Sequence, residues 1–140
     1  MTGQAGRDAR ARLLVGGRDV SDVLLADTYW RRLRGMLGRR TLPPALLLHP
    51  GGSVHGMGMT RSLDVAVLVP RDRPDRGRVP VDAPMRVAKL AVLRPFALVT
   101  GVRGACATLE APVGGFAGWG LSVGDEVQVV RAAAGGTAQL

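Results

Sequence analysis

Apolar residues along this chain fall into short runs that glycine, proline and charged residues separate. The runs are three to seven residues long and rich in valine, leucine and alanine, which predicts β-strands. The predicted strands cover residues 13–15, 20–25, 45–49, 63–69, 87–93, 97–102, 105–110 and 126–130. One stretch differs, because Trp30, Leu33 and Leu37 have the spacing of a buried helical stripe. They predict a helix that begins at Asp27 or Thr28 and ends near Leu37.

Many short strands with one helix favour a β-sandwich or a barrel over an alternating βαβ chain. We therefore predict one mainly β domain over residues 13–131, sandwich-like or barrel-like, an α+β variant with one or two short helices. Residues 1–12 are polar and aperiodic and predict a disordered lead-in, and residues 132–140 predict a flexible tail. Residues 70–84 contain four prolines and seven charged residues, which predicts an exposed loop.

Composition narrows the protein class. Cys106 is the only cysteine, which excludes an intrachain disulfide and a zinc site built from thiolates. No apolar run approaches the roughly 18 residues of a membrane helix, and the amino-terminal run is too short for a signal peptide. We predict a soluble, cytoplasmic protein without a membrane span.

The net charge of +8 raises the question of an acidic partner or nucleic acid. Most of the excess lies in residues 1–18 and 27–40, and the last hundred residues are nearly balanced. Arginine outnumbers lysine 18 to one, a bias typical of a GC-rich genome. A solvated basic face is therefore the preferred interpretation, and a surface for nucleic acid or an acidic partner is kept as the second alternative.

Five short motifs carry a resemblance to a known family. In chain order they are RRLRGMLGR at 31–39, SVHGMGM at 53–59, LDVAVL at 63–68, LRP at 93–95, and LEAP at 109–112 followed by GLSVGD at 120–125. Together they resemble the bacterial and archaeal family called domain of unknown function 192, over about residues 19–130. The resemblance implies a compact β-sandwich or barrel with a short helix or two, and it implies no reaction.

The central motif of the most similar branch has Ser-Val-His, a Met four residues after the His, and then Leu-Asp or Ile-Asp. Ser53, His55, Met59 and Asp64 fall on these positions. The chain departs from the family where Gly51-Gly52 stand in place of a frequent Cys and Ser62 in place of a usual Pro. A role for the motif that depends on a thiol is therefore not expected here.

The chemistry of these residues leaves two interpretations open. Ser53 and His55 would lie about 6.6 Å apart on an extended strand, which is too far for a nucleophile and its base. Asp64 could orient the His55 imidazole if their segments paired as neighbouring strands. The alternative is a buried structural histidine, which is the preferred interpretation.

Glu110 completes the set of candidate residues. It alternates with Cys106 and Thr108 on one face of its predicted strand, where a buried carboxylate needs a partner. Its alternative role is a salt-bridge anchor or a residue of the solvated face. The chain has only two histidines, His49 and His55, so no His-rich metal site can form, and we predict no metal and no cofactor.

Three hypotheses about function follow. The preferred one is a non-catalytic ligand-binding or accessory module that holds a small polar ligand or a peptide. Its candidate ligand-binding residues are Ser53, His55, Met59, Asp64 and Glu110. The first alternative is a hydrolase-like or metal-assisted enzyme using His55, Asp64 and Glu110, with no catalytic residue assigned. The second alternative is the basic surface for nucleic acid or acidic partners.

Overall fold

The computed structural model describes residues 9–26, 44–51, 54–55, 61–72 and 79–131. Within these ranges the strands are β1 (Ala9–Val15), β2 (Arg18–Ala26), β3 (Leu46–Leu48), β4 (Val54–His55), β5 (Leu63–Pro70), β6 (Met85–Leu93), β7 (Leu98–Val99), β8 (Ala107–Pro112) and β9 (Glu126–Arg131). A helix, α1, covers Gly115–Trp119. The prediction of a mainly β fold with a short helix is confirmed.

Seven strands form a closed barrel in the order β1-β2-β3-β8-β5-β6-β9. The barrel closes where β9 pairs with β1, from Ala11 opposite Arg131 to Val15 opposite Val127. Neighbouring strands are antiparallel except for the pair of β2 and β3, which is parallel. The remaining two strands, β4 and β7, form a separate two-stranded sheet.

The inside of the barrel holds the larger core, which we call the inner core. Alternate residues of each strand point inward, as the two-residue period of a strand requires. Leu13 and Val15 of β1 and Leu109 of β8 are at most 1% exposed there. Phe116 and Leu121, from α1 and the residues after it, also belong to this cluster.

A second core, which we call the outer core, covers the outer face of β3, β5 and β8. It contains Leu46, Val65 and Val67, and Val99 packs into it from β7. Strands between two cores are buried on both faces, and their sequences are therefore nearly continuous apolar runs instead of alternating ones. The run Leu63–Val69 is such a sequence, and it forms most of β5.

The structure differs from the predicted boundaries at several points. Strand β1 begins at Ala9, earlier than the predicted domain start at residue 13, because Ala9–Leu13 continue the ladder with β2. The predicted strand at 97–102 is only two residues long, and the strand predicted at 105–110 starts two residues later. Residues 1–8 and 132–140 and the predicted helix at 27–37 lie outside the described residues.

Helix α1 was not predicted, because its surroundings are rich in glycine. Gly114 and Gly120 flank it with φ of 99° and 69°, left-handed values at which glycine is favoured over residues with a side chain. These glycines start and stop a helix of five residues that places Phe116 in the inner core. Among the described residues, no helix has the length and apolar character needed to cross a membrane.

Candidate functional site

Asp64 is bound to backbone amides of the α1 region. Its Oδ2 accepts hydrogen bonds from the N–H groups of Gly114 at 3.0 Å and Phe116 at 3.3 Å. A glycine at the N-cap offers no side-chain oxygen to the first turn, so the carboxylate of β5 satisfies these donors from a neighbouring strand. Asp64 therefore fixes α1 to the barrel.

Glu110 lies in the middle of β8 and is 1% exposed. It is opposite Leu46 of β3 and Val65 of β5, both of which belong to the outer core. Thr108, two residues before it on the same face, is also fully buried, and its Oγ1 has no hydrogen-bond partner. The outer core thus contains polar groups among aliphatic side chains. Thr108 and Glu110 share a face as predicted, whereas Cys106 precedes β8 and packs against the inner core.

The two carboxylates do not converge. Asp64 is opposite Ala111, which belongs to the inner core, whereas Glu110 is opposite Val65 in the outer core. Adjacent register positions point to opposite faces of a sheet. The barrel wall therefore separates the Asp64 carboxylate from the Glu110 carboxylate, and no single substrate atom can contact both.

The segments of His55 and Asp64 do not pair as neighbouring strands, so the condition under which Asp64 could orient the His55 imidazole is not met. His55 lies in β4, which pairs with β7 through Leu98, and Asp64 lies in β5, which pairs with β6 and β8. The partner of β4 cannot be predicted from the sequence, because a strand of two residues has too short a pattern to favour β5 over β7. The side chains of Ser53, His55 and Met59 lie outside the described residues, and their ligand-binding role stays a prediction.

A cavity of about 250 Å³ lies where β3 ends and β8 begins. Its lining residues are His49, Pro50, Gly51, Val79, Ala105 and Cys106. Backbone hydrogen bonds hold this arrangement together: the N–H of Gly51 donates to the carbonyl of Cys106, and the N–H of Cys106 donates to the carbonyl of Leu68. The walls of the cavity are therefore the residues just after β3, the residues just before β8, and Val79.

His49 has a defined proton position in this cavity. Its Nε2 lies 2.7 Å from the carbonyl oxygen of Val79. Since a carbonyl oxygen only accepts, Nε2 carries the proton, and in the neutral ring Nδ1 is the acceptor. The His49 imidazole therefore lines the cavity with its Nε2–H bound to Val79.

Cys106 contributes the second polar side chain of the cavity. The thiol is half-buried, and its Sγ lies 3.6 Å from the carbonyl oxygen of Leu68. Burial raises the pKa of the Cys106 thiol above its ordinary value of 9.0. The thiol therefore stays protonated near neutral pH, and in that form it is a poor nucleophile and a poor metal ligand.

Comparisons with known proteins agree with this fold. One similar solved structure is a putative transcription regulator from Sinorhizobium meliloti 1021, with a TM-score of 0.65, 20% identity, and coverage of 88% of this chain and 95% of that chain. Another is a protein of unknown function from Novosphingobium aromaticivorans DSM 12444, with a TM-score of 0.63, 21% identity, and coverage of 91% and 96%. At these identities the likeness shows the fold alone. No family model matches the chain, and neither does any curated protein.

Among the described residues, no group of three or more His, Cys, Asp or Glu side chains could hold a metal ion. The site residues that sequence reasoning missed are His49 and Cys106. The sequence places His49 at the end of a predicted strand and Cys106 on the same predicted face as Glu110, and neither residue was predicted to bind a ligand. A usable signal was present, since His49 is a polar residue placed where an apolar strand meets the Pro50-Gly51 turn.

Proposed function

We propose that this chain is a non-catalytic ligand-binding or accessory module of the domain of unknown function 192 family. Its proposed ligand site is the cavity between the ends of β3 and β8. The observation that carries the proposal is the convergence of His49 and Cys106, the two polar side chains that line this cavity. The candidate motif Ser53–Met59 begins two residues after Gly51, a residue that lines the cavity, so the proposed site and the motif are neighbours in the sequence.

The chemistry of the lining indicates the kind of ligand. Pro50, Val79 and Ala105 offer apolar contact, and the neutral His49 ring has one hydrogen-bond acceptor, Nδ1. Sites for drug-sized molecules have volumes of about 300–1,000 Å³, somewhat above the volume here. We therefore infer a small ligand with an apolar body and one hydrogen-bond donor, or a single side chain of a peptide.

Two features favour binding over catalysis. A cysteine nucleophile needs a lowered thiol pKa, and burial raises that of Cys106. The enzyme alternative built on His55, Asp64 and Glu110 is also weakened, because the barrel wall separates its two carboxylates. In this proposal Asp64 has a structural role at α1.

The test uses Cys106 as a reporter, since no other thiol is present. Small alcohols, amines and carboxylic acids are screened by thermal shift, and each compound that stabilises the protein is tested for protection of Cys106 from a maleimide. We expect at least one compound to raise the melting temperature and slow labelling. The Ala105→Leu variant, whose side chain extends into the cavity, should lose both effects.

The matched control is Ala117→Leu, which adds the same side chain on an exposed position of α1. This variant should respond to the compound as the wild type does. Stabilisation that persists in Ala105→Leu, or a screen in which no compound protects Cys106, would contradict the cavity as the ligand site. A His55→Ala arm then reports whether the adjoining motif contributes to binding.

A further inference from the structure

The turn between β6 and β7 holds an aromatic residue in an unfavourable backbone conformation. The carbonyl of Arg94 accepts a hydrogen bond from the N–H of Ala97 at 3.0 Å, which closes a four-residue turn. Phe96 occupies its third position with φ of 62°. This position of a type II turn favours glycine, and a bulky side chain there is an outlier. Backbone strain of this kind is concentrated at functional sites.

The same turn exposes apolar side chains. Phe96 is 77% exposed, Leu98 is 62% exposed and Val92 is 50% exposed. We call residues 92–98 the Phe96 hairpin. Phe96 does not stabilise the turn, because glycine would adopt this φ with less strain. It also adds little to the packing of the barrel, because most of its side chain is exposed. The side chain is therefore best explained by a contact outside the chain.

Most of the charge near the hairpin is positive. One carboxylate lies beside it, because Asp64 is opposite Val92 on the neighbouring strand, but that carboxylate is bound by the amides of Gly114 and Phe116. Residues 83–109 contain no aspartate or glutamate and carry four cations, Arg86, Lys89, Arg94 and Arg103. Arg94 is exposed in the hairpin itself, and the ammonium of Lys89 donates to the carbonyl and the Oγ1 of Thr100 near its base. The partner should therefore be anionic. A second copy of this chain is a poor occupant, because each copy carries a net charge of +8.

We propose that the Phe96 hairpin docks the protein onto an anionic lipid surface, with Phe96 and Leu98 inserted at the headgroup boundary and Arg94 at the phosphates. Protein interfaces combine apolar contact with about one hydrogen bond per 100–200 Å². In the hairpin, arginine is the only residue with a polar side chain. Binding to an anionic bilayer requires apolar side chains that insert and cations that contact the phosphates, and the hairpin has both.

The experiment measures cosedimentation of the full chain with vesicles of phosphatidylcholine and phosphatidylserine at 3:1, and with pure phosphatidylcholine. We expect the wild type to bind the mixed vesicles and to stay in solution with the neutral ones. Phe96→Gly should lower the affinity for the mixed vesicles about tenfold, as expected from the loss of one inserted ring. Because glycine relieves the turn, the melting temperature of this variant should be unchanged or higher.

Two further variants separate the contributions. Arg94→Glu should weaken binding to the mixed vesicles. Val123→Ser, which changes a valine at another turn that is about as exposed as Leu98, should bind as the wild type does. Attraction due to the overall charge is common to the wild type and Phe96→Gly, so their ratio isolates the hairpin. Equal binding by these two proteins would overturn the proposal. Tight binding of a single-stranded oligonucleotide that is lost in Phe96→Gly, without vesicle binding, would also overturn it and assign the hairpin to nucleic acid.

Discussion

The two ends of strand β8 illustrate two uses of polar groups in one barrel. At the carboxyl end, the Asp64 carboxylate binds the amides of Gly114 and Phe116, and α1 packs against the inner core. At the amino end, His49 uses one ring nitrogen to bind Val79 and lines a cavity beside Cys106. The first arrangement holds α1 against the inner core, and we call it the closed end. The second leaves a cavity that could hold another molecule, and we call it the cavity end. A polar residue at a strand end therefore does not by itself indicate a ligand site. Its hydrogen-bond partners within the protein must also be known.

Replacing one alanine by leucine at each end tests this difference most strongly. A Cβ atom placed on Gly115 would lie 3.1 Å from the Cβ of Ala111, so the closed end is already tightly packed. We expect Ala111→Leu to lower the free energy of unfolding by about 1–3 kcal/mol, the usual effect of overpacking. The leucine of Ala105→Leu extends into the cavity, so this variant should lower the free energy of unfolding by less than about 1 kcal/mol. Urea denaturation of both variants measures the difference, and equal losses would show that the two ends are packed alike.

The role of Asp64 gives a second test. Asp64→Ala removes the acceptor of two amides and should lower the free energy of unfolding by about 1–2 kcal/mol, as the loss of a helix cap does. Asp64→Asn keeps a side-chain oxygen and should lose less. Thermal and chemical denaturation measure both values. If Asp64→Ala instead kept full stability and abolished ligand binding, the carboxylate would belong to a site and not to the closed end.

The smallest effect is expected from the Cys106 thiol at the cavity end. Its folded pKa is raised above the ordinary value of 9.0 by burial, so the unfolded thiol ionises first as the pH increases. The contribution of the thiol to stability is therefore complete below the unfolded pKa and is lost as the pH rises through the folded pKa. As the pH rises above the ordinary thiol pKa, the free energy of unfolding should fall more steeply for the wild type than for Cys106→Ala. Parallel pH profiles would contradict a buried thiol.

The sequence predicts those parts of the fold that depend on local pattern. The unbroken apolar run of β5 and the alternation of Thr108 with Glu110 in β8 are both found in the structure. The partners of Asp64 could not be predicted, because they lie some fifty residues away in a glycine-rich segment. The cavity could not be predicted either, since closure of the barrel brings together Gly51, Val79 and Cys106 from three separate parts of the chain.

The pairing of β1 with β9 has a consequence for how the chain reaches this structure. The ladder joins Ala11 to Arg131, so almost the whole described sequence must be available before the ring of strands can close. Until then β1 and β6 each present an unpaired edge, which is a site of association for unfolded chains. Contacts between such distant residues also slow folding. Truncation within β9 should therefore produce aggregation during synthesis instead of a smaller folded protein.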